Sequence, residues 1–184
     1  MRSDLPTFDI TAPLPGVGTT LLEASAGTGK TWTIAALVTR YVAEGVAGLD
    51  EMLVVTFGRA ASQELRERVR AQLVEAERAL DGDVAVDVAA SPLLTLLVVG
   101  DEEQRALRHR RVVEALVGFD AATIATTHQF CSLVLSSLGV AGDTDARARL
   151  VEDLDDLVSE VVDDLYLRAF AFAPGGPVFS HAEA

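Results

Sequence analysis

Several things are scarce in this chain, and each scarcity excludes something. There is one cysteine, Cys131, so no internal disulfide can form, and a reducing compartment is expected. The longest strongly apolar run, residues 93–99 (LLTLLVV), falls far short of the roughly 20 residues that span a bilayer. The opening MRSDLPTFDITAPLPG has a single early arginine and no apolar centre, so it does not read as a secretory leader. A soluble, cytoplasmic protein is the expectation. Cations are also few: 15 Lys and Arg face 28 Asp and Glu, for a net charge of −13. That excludes a generic nucleic-acid coat, which needs a surplus of positive charge, but leaves room for a local DNA groove. Scarcest of all is lysine. Lys30 is the only one, and the other fourteen cationic side chains are arginines.

What is present suits a globular fold. The 184 residues are 49% hydrophobic and 23% charged, enough for one compact domain, or one domain and the start of another. After an irregular, proline-containing lead-in, residues 19–24 (TTLLEA) read as a short strand. A glycine turn and a helix over about 30–42 follow. Residues 52–57 (MLVVTF) form a continuous apolar run, as expected of a buried parallel strand. Residues 60–80 carry Leu65, Val69, Leu73, Ala76 and Leu80 at helical spacing. Ser91-Pro92 can open a short helix, residues 105–117 are helical in pattern, and 123–126 is a third short strand followed by a helix over about 128–138. A break at 139–145 precedes an amphipathic helix with Leu150, Leu154, Leu157, Val158, Val161 and Leu165 facing inward. Strands alternating with helices favour an α/β fold with an open parallel sheet.

The lone lysine sits in EASAGTGKT, residues 23–31. Backbone N–H groups of a glycine-rich turn converge on an anion, and the helix that follows adds its positive end. Lysine offers a compact charge on a flexible stem, whereas the planar guanidinium of arginine would crowd the same space. The hydroxyl of Thr31 can join a magnesium coordination sphere. Ala24 stands where the usual eight-residue pattern has its first glycine. The alternative is a glycine turn that merely starts a helix, but strand before and helix after favour a nucleotide site.

Two later segments repeat a strand-end theme. In LVVTFGRAASQELRERV, Thr56 and Phe57 lie at the carboxyl end of a strand, the edge where ligands of open α/β sheets bind. Phe57 there is placed to stack on a base, although an isolated phenylalanine more often belongs to a core. In TIATTHQFC, the hydroxyls of Thr126 and Thr127 with His128 and Phe130 suit phosphate contacts, although His128 alone reads more readily as a capping or core residue.

Taken in order, EASAGTGKTWTIAAL, LVVTFGRAASQELRERV and ATIATTHQFC resemble the first motifs of superfamily 1 DNA helicases, closest to the RecB-like branch of the UvrD/Rep group. FDITAPLPG, SLGVAGDTD and LVSEVVDDLY extend the resemblance over most of the chain. It implies a RecA-like P-loop NTPase domain 1A over residues 1–140 and the start of a helical domain 1B over 141–184. It implies ATP and Mg2+ as cofactors, held by Ala24, Ser25, Ala26, Gly27, Thr28, Gly29, Lys30, Thr31 and Trp32, with Lys30 and Thr31 catalytic and Thr31 on the metal. Thr56, Phe57, Arg59, Thr127, His128 and Phe130 correspond to contacts with single-stranded DNA. The implied work is recombinational repair of double-strand breaks, with RecC- and RecD-like partners. UvrD-like relatives carry an adenine-reading glutamine ahead of the loop; here none precedes Gln63.

Some parts are expected to be missing. Hydrolysis needs an acid pair for magnesium and water. LLVVGDEEQ (residues 96–104) imitates one, but Gly100 intervenes and the arginines that follow make it read as helix-turn-helix. The acid run over 152–164 has the spacing of a solvated helix face, and Arg105, Arg108, Arg110 and Arg111 read mainly as a helix face paired with acids. A second motor domain and a nuclease domain do not fit within the sequence, so the chain is expected to be a piece of a longer protein, or else a non-catalytic remnant that keeps the fold.

Overall fold

The computed structural model describes residues 6–25, 27–138 and 154–170. The chain divides into two compact units, Met1–Cys131 and Ser132–Ala184.

In the first unit the glycine turn leads into α1 (Lys30–Glu44). The helix ends where Gly45 enters the left-handed region at φ 73°. There Gly45 N–H donates to Val42 O and Val46 N–H to Tyr41 O, so the last carbonyls of the helix are satisfied. Any side chain at Gly45 would overlap the guanidinium of Arg111. A single 3₁₀ turn, Leu49–Glu51, precedes β1 (Leu53–Thr56). Then α2 (Arg59–Asp81) runs to a second left-handed glycine, Gly82. Its expected stripe is fully borne out: Leu65, Val69, Leu73, Ala76 and Leu80 are all buried.

The Ser91-Pro92 signal also holds. Ser91 Oγ accepts from Leu94 N–H, and Pro92 takes the first position of α3 (Pro92–Val98), where its missing N–H costs nothing. Asp101 caps α4 (Glu102–Val117) through Gln104 N–H at 2.8 Å, so this helix starts three residues ahead of the expected Arg105. β2 (Thr123–Thr126) then pairs with β1 in parallel, Leu53 opposite Thr123 and Thr56 opposite Thr126. It passes directly into α5 (Thr127–Ser137).

The core is mainly helical. Leu73, Leu93, Leu94, Leu97, Val69 and Val112 are its largest fully buried apolar side chains, contributed by α2, α3 and α4. Burying each such side chain stabilises by roughly 1.5–3 kcal/mol relative to exposure. Phe119 is buried beneath Arg66 and Arg70, whose guanidinium carbons lie 5.8 and 5.3 Å from the ring centre.

Three expectations are corrected. Residues 19–24 are unpaired coil, with Leu21 80% exposed. A strand is stabilised by its ladder, and among the described residues only β1 and β2 pair. β1 is buried on one side alone: Val54 and Thr56 are half-buried, but Leu53 and Val55 are exposed. Its continuous apolar run promised two covered faces, and no described element covers the second.

In the second unit, α6 (Asp155–Phe170) forms as expected. Leu154, Leu157, Val158, Val161 and Leu165 are nonetheless exposed rather than inward, and Leu150 lies outside the described residues. An apolar stripe needs a facing surface, and none is present among the described residues of this unit.

The lead-in is coil but is held firmly. Arg40, 4% exposed, donates through Nη1 to Ile10 O and Ala12 O, each at 2.6 Å, and through Nε to Glu44 Oε1 at 2.6 Å. The Tyr41 hydroxyl donates to Pro15 O at 3.1 Å. The segment preceding the glycine turn is thereby tied to α1.

Candidate functional site

The turn ahead of α1 needs its glycines for backbone reasons. Gly27 and Gly29 have φ of 77° and 86°, a region that strains any residue with a Cβ. Nothing lies within 4 Å of a Cβ built at either one, so the sign of φ rather than crowding selects glycine. Thr28 Oγ1 donates to Ser25 O at 2.8 Å. Lys30 Nζ folds back across the turn, donating to Ser25 O at 2.5 Å and to Ala24 O at 3.3 Å. Ala24, Ser25, Thr28 and Lys30 are exposed, Thr31 is half-buried and Trp32 is 37% exposed. Ala26 lies outside the described residues.

This donor set fits a phosphate. Gly29 caps α1 without a side-chain hydrogen bond, and no acid stands in the first turn. The first N–H groups of the helix are therefore not satisfied by side chains, and the positive helix end is not neutralised. Two left-handed glycines alternating with ordinary residues build the concave arrangement of N–H groups that binds anions. The ammonium of Lys30 lies over the same turn, and the Thr31 hydroxyl follows it directly.

A second group of expected residues gathers at the carboxyl ends of the two strands. Thr56 and Thr126 are register partners, so the residues that follow them emerge side by side. After β1 come Phe57, 92% exposed, and Arg59, exposed at the start of α2. After β2 come Thr127, half-buried, His128, exposed, and Phe130, half-buried. Phe57 is thus no core residue.

Sequence reasoning passed over Gln129. Its Oε1 accepts from Thr126 N–H at 2.9 Å, while its own N–H donates to Thr126 Oγ1 at 3.1 Å. This is a reciprocal capping box, and the Thr-x-x-Gln spacing was its signal.

The acid decoy resolves as expected, and the arginine cluster does so only in part. Asp101 is the cap of α4 and follows a helix, not a strand. Arg108 donates to Leu97 O and Val99 O, and Arg111 donates to Ala43 O, so these two guanidinium groups close the ends of α3 and α1. Their expected acid partners are replaced by backbone carbonyls. Arg105 and Arg110 are exposed. Among the described residues no group of three or more His, Cys, Asp or Glu is placed to hold a metal. No helix among them is long and apolar enough to cross a membrane.

Comparison with known proteins adds a family. Residues 9–171 match the UvrD/REP helicase N-terminal domain. The chain is 62% identical over 178 residues to the RecBCD enzyme subunit RecB of Mycolicibacterium smegmatis, covering 96% of this chain and 16% of that protein. It is 56% identical over 178 residues to the RecB subunit of Mycobacterium tuberculosis strain H37Rv, again covering 96% of this chain and 16% of that protein. Against the RecB subunit of Escherichia coli it is 33% identical over 164 residues, 84% of this chain and 13% of that one. The chain therefore spans only a fragment of the length of these relatives. With a match running through most of its residues, and with the ends of β1 and β2 in the places that the motifs predicted, the chain belongs to the UvrD/REP helicase N-terminal domain family.

Proposed function

We propose that the chain is the ATP-binding part of a RecB-type DNA helicase. In this reading residues 1–140 are a RecA-like domain 1A and residues 141–184 open domain 1B. The observation that carries it is the turn at Gly27 and Gly29, with the sole lysine of the chain lying over it, in a chain of helicase family.

The N–H groups that open α1 would hold the β- and γ-phosphate oxygens. Lys30 would leave Ser25 O and follow the same phosphates, exchanging a carbonyl partner for an anionic one, the stronger hydrogen bond. Thr31 would supply one ligand to magnesium, which when bound neutralises phosphate charge and helps to position the attacking water. Ala24, Ser25, Ala26, Thr28 and Trp32 would border the nucleotide. At the strand ends, Phe57 would stack on a base while Arg59, Thr127, His128 and Phe130 line the path of single-stranded DNA, with Thr56 beneath them.

The relatives are named as subunits of a RecBCD enzyme. We therefore place the longer protein with RecC- and RecD-like partners, in ATP-driven unwinding of DNA during break repair in the cytoplasm. Such unwinding also requires an acid pair for magnesium and water, which we assign to another part of the longer protein.

Photo-crosslinking of radiolabelled ATP tests the reading. Labelling should saturate in the wild-type chain, should be competed by unlabelled ATP, and should fall at least tenfold in Lys30→Ala, about 1.4 kcal/mol or more. Equal labelling of the two proteins would remove the phosphate turn from the account.

A further inference from the structure

We propose that Gln129 is a positioning residue for single-stranded DNA, acting through the turn it locks rather than by touching the nucleic acid. This rests on the reading that the strand ends contact DNA. The geometry behind it is the abrupt join of β2 to α5. The strand ends at Thr126 and the helix begins at Thr127, with no loop residue between them. A chain turning from extended to helical in one step leaves N–H groups of the first helical turn without intrahelical partners. Here the reciprocal bonds between Thr126 and Gln129 satisfy two donors at once.

The box also reaches into the sheet. Thr126 is 4% exposed and pairs in register with Thr56. Gln129 is therefore linked, through one buried threonine, to the ends of both strands. Between the two members of the box lie Thr127 and His128, and immediately after it lies Phe130. All three expected DNA contacts of this segment are thus set by one closed ring of hydrogen bonds. Without the ring, the first turn of α5 has more conformations, and only the fraction with the right geometry binds.

Glutamate at position 129 would keep the box but add a negative charge beside the expected phosphates, so neutral variants are the informative ones. Gln129→Met keeps the length of the side chain and removes its acceptor. Thr126→Val keeps shape and removes the hydroxyl, and Thr126→Ser keeps the hydroxyl.

The experiment measures binding of a fluorescein-labelled oligothymidylate to the whole chain by anisotropy at low salt, with ATP crosslinking as a parallel readout. Gln129→Met and Thr126→Val should each weaken oligothymidylate binding about fivefold, the size expected when a helix cap is lost. The double variant should be no weaker than either single one, because both remove the same ring. Thr126→Ser should bind within about twofold of wild type, and ATP crosslinking in all four variants should equal that of wild type.

A loss confined to Gln129→Met would overturn positioning in favour of a direct contact by the amide. Unchanged binding in both single variants would overturn it outright while leaving DNA binding itself standing. A parallel fall in ATP crosslinking would reduce the box to a general stability element. Absence of oligothymidylate binding by the wild-type chain would overturn the strand-end reading and the positioning role with it.

Discussion

Replacing Arg40 should release the lead-in from α1. Arg40→Met keeps most of the side-chain stem and removes the guanidinium, which holds Ile10 O, Ala12 O and Glu44. A hydrogen bond from a charged donor contributes about 1.5 kcal/mol at the low end, and two carbonyls lose one each. The ion pair adds less. The Glu44 side chain is 27% exposed and rehydrates once its partner is gone, so about 0.5 kcal/mol is appropriate. The more apolar methionine returns roughly 0.8 kcal/mol through burial. The net loss is about 3 kcal/mol. For a chain of this size each kcal/mol lowers Tm by roughly 2–4 °C, so the variant should melt about 10 °C lower by circular dichroism. Hydrogen exchange resolved by residue provides the local readout, with the amides of residues 8–14 losing protection first. A Tm within about 2 °C of wild type, or unchanged exchange over those residues, would refute the reasoning that Arg40 anchors the segment.

Two further outcomes follow from the structure. Leu73→Ala empties a fully buried position in α2 and should cost about 2–5 kcal/mol, read as a lower midpoint in urea with an unchanged slope. Asp83 closes the end of α2 by accepting from Ala85 N–H at 2.9 Å and from Arg78 Nε at 2.8 Å. The backbone bond first, and the Arg78 bond after it, hold its carboxyl below the ordinary value of 3.8. A carboxyl lowered on folding stabilises the protein above its unfolded pKa and loses that contribution as pH falls through the folded one. Stability of the wild type should therefore fall below pH 3.8 with a component that Asp83→Asn lacks, seen as a shallower acid limb in pH-dependent melts.

Local patterns were the legible part of this chain. The stripe of α2 and the serine and proline that open α3 act through neighbours a few residues away, so they can be read without a fold. The glycine turn was legible for the same reason, its two left-handed residues being coded by Gly27 and Gly29. The strand ends were found as separate motifs, but their adjacency rests on the pairing of Thr56 with Thr126, seventy residues apart, which no local pattern records. Gln129 shows the opposite case: its capping signal was local, and attention to phosphate chemistry passed over it.

The misses share one cause. Residues 19–24, the outer face of β1 and the stripe of α6 all have the apolar residues of a buried element. Composition registers that a side chain is fit for burial, not which surface covers it. Where the described residues supply no cover, Leu21, Val55 and Val158 stay exposed. Arg40 escaped notice because a buried arginine satisfied by carbonyls leaves no pattern of charge in the sequence.

The central claim is that the turn around Lys30 holds the phosphates of ATP, and a crystal structure of the chain grown with magnesium and a non-hydrolysable ATP analogue tests it most directly. The β-phosphate should lie within hydrogen-bond distance of the backbone N–H groups at the start of α1, with Lys30 Nζ moved from Ser25 O onto phosphate oxygen. A nucleotide bound elsewhere, or bound there with Lys30 still on Ser25 O, would contradict it.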